Sequence, residues 1–166
     1  LLLSASGDNS GPCSISSLLA DYYAAIGLRV ACIDLDSSRS KTADTTVPVE
    51  AYLRGTALFS TLLSETNPVD IWVRGDADLT ELMLQQRGGQ LWRQLRQCSD
   101  LLIITIGDVD GHHHLVPTLP EIDRHFMLVD SPTGRRADVS RTLAWLAAKS
   151  ITPDSIILNR APKAAV

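Results

Sequence analysis

The chain has 166 residues and a mass of 18.0 kDa. That is the size of one domain, able to bury about two thirds of the surface of its unfolded form, so no disulfide or metal staple is required. Its 15 basic and 19 acidic residues leave a net charge of −4, and nucleic acid is not an expected partner. Cys13, Cys32 and Cys98 are odd in number, far apart and without CxxC spacing, which suggests neither a disulfide framework nor a zinc site and fits a reducing cytosol. No signal peptide opens the chain, and apolar runs such as 101–106 fall far short of the roughly 20 residues that span a bilayer. The expected location is cytoplasmic, peripheral to the inner membrane only through a partner. Residue 1 starts directly in a strand pattern and residue 166 follows shortly after another, as in a domain trimmed from a longer chain.

Apolar runs bounded by turn residues occur at 1–5, 28–35, 69–73, 101–106, 125–129 and 155–158. They are too continuous for half-exposed strands and predict strands covered on both faces, as in a parallel sheet. After the first run come a glycine-containing turn, Gly7-Asp8-Asn9-Ser10-Gly11, and a helix over 15–26, where Ile15, Leu18, Leu19, Tyr22 and Ile26 recur every three or four residues. Gly27 stands where a C-terminal cap belongs. The polar stretch 37–48 has no apolar period and reads as a loop over the sheet edge. Gly88-Gly89 interrupts the pattern over 79–97, which predicts two helices or one kinked helix. A second loop follows at 107–120, and Asp138 is the expected N-cap of a helix carrying Val139, Leu143 and Leu146. Alternating strands and helices predict a doubly wound, mainly parallel α/β sheet in one domain, 1–166.

Strand, glycine turn and helix, in that order, are the elements of a P-loop. A working loop places lysine and then Ser or Thr after its last glycine, to neutralise phosphate and to hold Mg²⁺. Gly11 is instead followed by Pro12 and Cys13, and proline has neither charge nor backbone N–H. The pattern argues for the fold of an ATPase and against its chemistry. Other constellations carry less. The run His112-His113-His114 cannot converge on one ion from an extended loop and reads as polar loop. Ser4, Ser6, Ser10, Ser14, Ser16 and Ser17 lack a G-x-S-x-G elbow and read as capping groups. Arg135, Arg136 and Arg141 solvate a helix start or meet an acidic partner or phosphate, and Trp72, Trp92 and Trp145 read as core or interface anchors.

The segments LLLSASGDNSG at 1–11, GLRVACIDLDSSR at 27–39, the expected helix ALFSTLLSET at 57–66, DLLIITIGDVD at 100–110 and TLAWLAAKSITPDSIILNRAP at 142–162 together resemble the MinD/ParA branch of P-loop proteins. Within that branch they resemble the cytoplasmic domain of bacterial tyrosine kinases that regulate exopolysaccharide export. The resemblance implies that Asp34 and Asp36 stand at the acidic positions that manage Mg²⁺, with Arg39 one place late, and that Asn159 stands where an asparagine reads adenine. It also implies losses. The signature lysine falls at Gly7, the second lysine at Pro12, the Mg²⁺ hydroxyl at Cys13, and the aspartate of the fourth strand at Thr105, unless a shifted alignment recruits Asp108 or Asp110. The family's tyrosine-rich tail has no counterpart, because Tyr22, Tyr23 and Tyr52 are the only tyrosines. The implied protein is a catalytically degenerate regulatory or scaffold subunit of an exopolysaccharide system, binding itself or a membrane-anchored export component. It has no catalytic residue, metal or cofactor, and Asp34 and Asp36 are vestigial. The alternatives are a nucleotide-gated MinD/ParA-type ATPase or a ParA-like localisation factor of a secretion or pilus system. In those, ATP or ADP with Mg²⁺ would lie on Gly7, Asp8, Asn9, Ser10, Gly11, Cys13, Ser14 and Asn159.

Overall fold

A computed structural model of the chain describes residues 1–6, 12–35, 49–63, 68–72, 79–109, 119, 121–130 and 134–159. Its strands are β1 (Leu2–Ser6), β2 (Val30–Asp34), β3 (Val69–Trp72), β4 (Leu101–Asp108), β5 (His125–Asp130) and β6 (Ser155–Asn159). Its helices among the described residues are α1 (Pro12–Ala25), α2 (Val49–Leu53), α3 (Leu79–Leu84), α4 (Gln86–Cys98) and α5 (Arg136–Ala148), with a 3₁₀ turn at Phe59–Thr61. All six strands form one sheet in the order β3-β2-β4-β1-β5-β6, and every pairing is parallel. The expected doubly wound α/β architecture is the observed one.

The continuous apolar runs arise because the central strands are covered on both faces. Along β1, Leu3 points toward α1 and packs with Ala20, Val30, Cys32, Ile103 and Leu128. Its neighbour Leu2 points the other way, into a larger cluster with Ile33, Ile104, Met127, Leu91, Leu95 and Leu146 from β2, β4, β5, α4 and α5. A strand's period of two therefore sends successive side chains into two different apolar layers. Trp92 is buried in the second layer and Trp145 packs against it. β6 departs from this pattern. It lies at the sheet's edge, and Ile156 and Leu158 are 46% and 61% exposed.

Helix ends follow local chemistry. Gly27 has φ +95°, its N–H reaches the Ala24 carbonyl, and the Leu28 N–H reaches that of Tyr23, which is the paired C-terminal capping motif that glycine favours. The turn into β2 is pinned by Arg29, whose guanidinium and backbone N–H donate to the Asp100 carboxylate at 2.6 to 3.1 Å. Those bonds hold the exposed Asp100 carboxyl down at about 2.

Several expectations are corrected. On α1 the buried face runs through Ile15, Leu19, Ala20, Tyr23 and Ala24, whereas Leu18, Tyr22 and Ile26 are exposed; a helix apolar on two sides gives no unique face from spacing alone. The 79–97 region is two helices, but they part at Gln85, and Gly88-Gly89 lies inside α4. Gly88 is there for close packing, since a Cβ would fall 2.0 Å from the Met83 carbonyl oxygen. Asp138 does not cap α5. Arg135 holds the N-cap position, and Asp138 lies in the first turn with Arg141 at 2.8 Å, where a carboxylate still complements the helix dipole. Among the described residues of 57–66, Phe59–Thr61 alone form a helical turn; 64–66, like the 37–48 loop, lie outside the described residues. β4 runs on to Asp108, two residues beyond its apolar stretch and into the segment expected as loop.

Candidate functional site at the C-terminal edge of the sheet

In an open parallel sheet the crevice outside the carboxyl ends of the strands, where the chain's direction of travel reverses, is the place built to hold a ligand. Here β1 leads over one face toward β2, and β4 leads back past β1 to β5, so β1 and β4 flank the switch point. Their ladder shifts register between Ser4 and Ala5, a local irregularity of the kind that re-aims groups beside sites.

Register aligns the polar groups at this edge. Asp34 ends β2, half-buried, opposite Thr105 of β4. The next residue, Leu35, donates its N–H to the Thr105 carbonyl at 2.8 Å and is itself buried. Ser6 ends β1 beside Val129, and Asp130 ends β5 beside Asn159 of β6. Ser6, Thr105 and Asp130 are all buried. The first residue of α1 is Pro12, which enters from the same edge. Helix N-terminal N–H groups are natural anion donors, and a proline there deletes one of them.

The structure thus brings Asp34, Thr105 and Asn159 to one edge, together with the start of α1. Gly7, Asp8, Asn9, Ser10, Gly11, Asp36, Arg39, Asp110 and His112 to His114 lie outside the described residues, and for Pro12, Cys13, Ser14 and Asp108 only the backbone is described. Asp130 was not anticipated. Its signal was an acidic residue closing an apolar run just ahead of Ser131-Pro132. The Gly134 N–H donates to the Asp130 carbonyl at 2.6 Å.

A second polar pair lies away from this edge. Ser4 and Ser6 are not caps but β1 residues inside the sheet, and the Ser4 hydroxyl lies 2.8 Å from Nε2 of the buried His125. Nδ1 of His125 has no partner among the described residues. Burial pushes the imidazole down to about 4, against a smaller upward pull from Asp154. The Asp154 carboxylate accepts from the His125 backbone N–H at 2.7 Å and from Arg124 at 2.9 Å, which together lower its pKa. A cavity of about 340 Å³ adjoins this end of the strands, lined by Leu2, Leu119, Ile122, His125, Ile151 and Asp154 among others.

A parallel doubly wound sheet in the order β3-β2-β4-β1-β5-β6, with a helix following its central strand β1 and an acidic residue closing the neighbouring β2, is the arrangement of the P-loop class. No family model and no curated protein matches the chain in sequence. Among solved structures, it superposes on the kinase domain of Escherichia coli tyrosine kinase ETK with a TM-score of 0.83 at 19% identity, covering 99% of this chain and 71% of that one. The BceF tyrosine kinase domain gives 0.82 at 18% identity, over 97% and 68%. MinD in the Aquifex aeolicus MinC:MinD cell division complex is a more distant likeness, matching with 0.72 at 12% identity over 96% and 68%. The chain has the MinD/ParA-like P-loop fold that these proteins share.

Among the described residues no helix is long and apolar enough to cross a membrane.

Proposed function

We propose that the protein is a catalytically degenerate member of the tyrosine-kinase-like and ATPase-like fold, acting as a regulatory or scaffold subunit of a bacterial exopolysaccharide synthesis and export system. What carries the reading is Pro12 as the first residue of α1 and Thr105 buried beside Asp34, where lysine and aspartate would serve phosphoryl transfer. Lysine there supplies counter-charge to the transferring phosphoryl group, and each such electrostatic contribution in a dry site is worth about 3 to 4 kcal/mol of barrier. A proline and a neutral hydroxyl supply none of it. Bound ATP with Mg²⁺ would contribute the phosphoryl group and a Lewis-acid cation. Toward it this chain would offer the remaining N–H groups at the start of α1, the carboxylates of Asp34 and Asp36, and the amide of Asn159. A fold kept without its catalytic charges retains surfaces, and those surfaces serve self-association or docking on a membrane-anchored export component.

The test has two arms. Calorimetric titration with ATP and ADP in the presence of Mg²⁺ should show weak binding or none, and hydrolysis should stay at background with no phosphate transferred to tyrosine. Turnover abolished by Asp36→Ala would overturn the reading. The second reading, a nucleotide-gated ATPase, is favoured by one observation, the acidic end of β2 lying at the edge from which α1 starts. It requires assembly that appears only with ATP and Mg²⁺ in light scattering, whereas a scaffold assembles without them.

A further inference from the structure

The cavity of about 340 Å³ at the N-terminal ends of β1 and β5 has no part in the candidate nucleotide edge, which lies at the other end of the same strands. Four of its lining residues, Leu2, Leu119, Ile122 and Ile151, are apolar and belong to or pack against the core layer on the α5 side of the sheet. They come from β1, from the approach to β5 and from the turn after α5. His125, the register partner of Leu2, also lines the cavity and is only 3% exposed. A mainly apolar wall around about 300 Å³ or more, with a few placed polar groups, is the make-up of pockets that hold small molecules.

The imidazole indicates the kind of molecule. The Ser4 hydroxyl is fully buried, and its partner is Nε2 of His125 at 2.8 Å. If Nε2 carried the ring proton, the hydroxyl hydrogen and Nδ1 would both be left without partners. With the hydroxyl donating to Nε2 and the ring proton on Nδ1, a single group is left over, which favours this second tautomer. Burial keeps the ring neutral at pH 7. Nδ1–H is then a buried donor with no acceptor among the described residues. We infer that the cavity is a binding site for a small, neutral, mainly apolar molecule whose carbonyl or hydroxyl oxygen accepts from Nδ1–H of His125. Nδ1 is covered in this structure, and it meets such an oxygen by a turn of the ring about Cβ–Cγ, a soft torsion in histidine. Charge is disfavoured in either sign. An anion would give up hydration against the apolar wall and face the Asp154 carboxylate, and a cation would find that carboxylate already paired with Arg124 at 2.9 Å. The inference is independent of the proposed function.

The test titrates the whole chain with cyclohexanone at pH 7 and follows methyl groups and histidine ring nitrogens by NMR. The expected result is saturable shifts at Leu2, Ile122, Ile151 and Nδ1 of His125. Leu119→Trp, which fills the cavity, should abolish them, and His125→Phe should weaken binding at least tenfold, with circular dichroism showing both variants folded. Cyclohexanecarboxylate, the same ring bearing a charge, should bind at least tenfold more weakly than cyclohexanone. Should either variant fail to fold, Ile122→Trp is a second way to fill the cavity, and the Nδ1 shift of the native chain reports the hydrogen bond directly. No saturable shift, or shifts as large at the exposed Leu18 and Leu58, would overturn the site. Binding that leaves Nδ1 unmoved, or that is as tight for the carboxylate, would overturn the assigned ligand chemistry.

Discussion

His125 sets a definite pH dependence for stability. The imidazole is buried at the start of β5 and titrates near 4, against 6.5 for an unburied histidine. A base whose folded pKa is depressed binds fewer protons folded than unfolded, so its contribution is fully present above about pH 6.5 and is lost as pH falls toward 4. At about 1.4 kcal/mol for each tenfold difference in proton affinity, the whole interval is worth about 3 kcal/mol, and lowering pH from 7 to 5 removes roughly 2 kcal/mol. Asp100, held low by Arg29, and Asp154, held low by the His125 backbone N–H and then by Arg124, contribute in the same direction, but their loss falls at lower pH. The assay is urea unfolding at intervals from pH 7.5 to 4.5 for the native chain and His125→Gln, which keeps a polar group near Ser4 and cannot titrate. The two stability profiles should converge as pH falls. Parallel profiles, or a His125 ring resonance titrating near 6.5 in the folded protein, would refute the reasoning.

Three further outcomes are expected. Gly88→Ala places a Cβ 2.0 Å from the Met83 carbonyl oxygen and should cost about 3 kcal/mol or more, whereas Gly89→Ala, with nothing within 4 Å, should gain about 1 kcal/mol from helix propensity; thermal melts of the pair check both. Pro12→Lys combined with Cys13→Thr should raise ATP affinity about tenfold or more by calorimetry, and no gain would mean that the loop backbone no longer cradles phosphate. Thr105→Asp buries a carboxylate where the present residue is 1% exposed and should lose about 2 to 4 kcal/mol; recovery of that loss by Mg²⁺ would favour the nucleotide-gated reading over the scaffold.

The fold was legible because it is written redundantly. All six strands fall within two residues of the apolar runs that announced them, since central strands must be apolar on both faces. What failed were decisions that depend on neighbours. The spacing of Leu18, Tyr22 and Ile26 is as regular as that of Ile15, Leu19 and Tyr23, and only the sheet decides which stripe is buried. Gly88-Gly89 looked like a break because glycine disfavours helix, yet the corner between α3 and α4 needs a residue without a Cβ more than it needs propensity. β6 reads like the buried strands, and its exposure follows from its position at the sheet edge.

The site was legible only where backbone register carries it. Asp34, Thr105 and Asn159 could be placed at one edge because parallel strands of known order bring their C-terminal ends together. Asp130 and the Ser4–His125 pair could not, because each takes its meaning from a residue far away in sequence. That asymmetry bears on the proposed loss of catalysis. Thr105 needs its backbone carbonyl to receive the Leu35 N–H and needs a side chain that tolerates burial; it needs no charge for either. Pro12 at the first position of α1 suits a helix start by its fixed φ and forfeits only an N–H that the helix itself does not use. Each residue that on the proposed reading stands in for a catalytic group is therefore at least neutral for folding, and a buried hydroxyl is cheaper than a buried carboxylate that lacks a cation. On the proposed scaffold reading, in which turnover is not required, folding stability favours these replacements while the two-layered core holds the architecture unchanged.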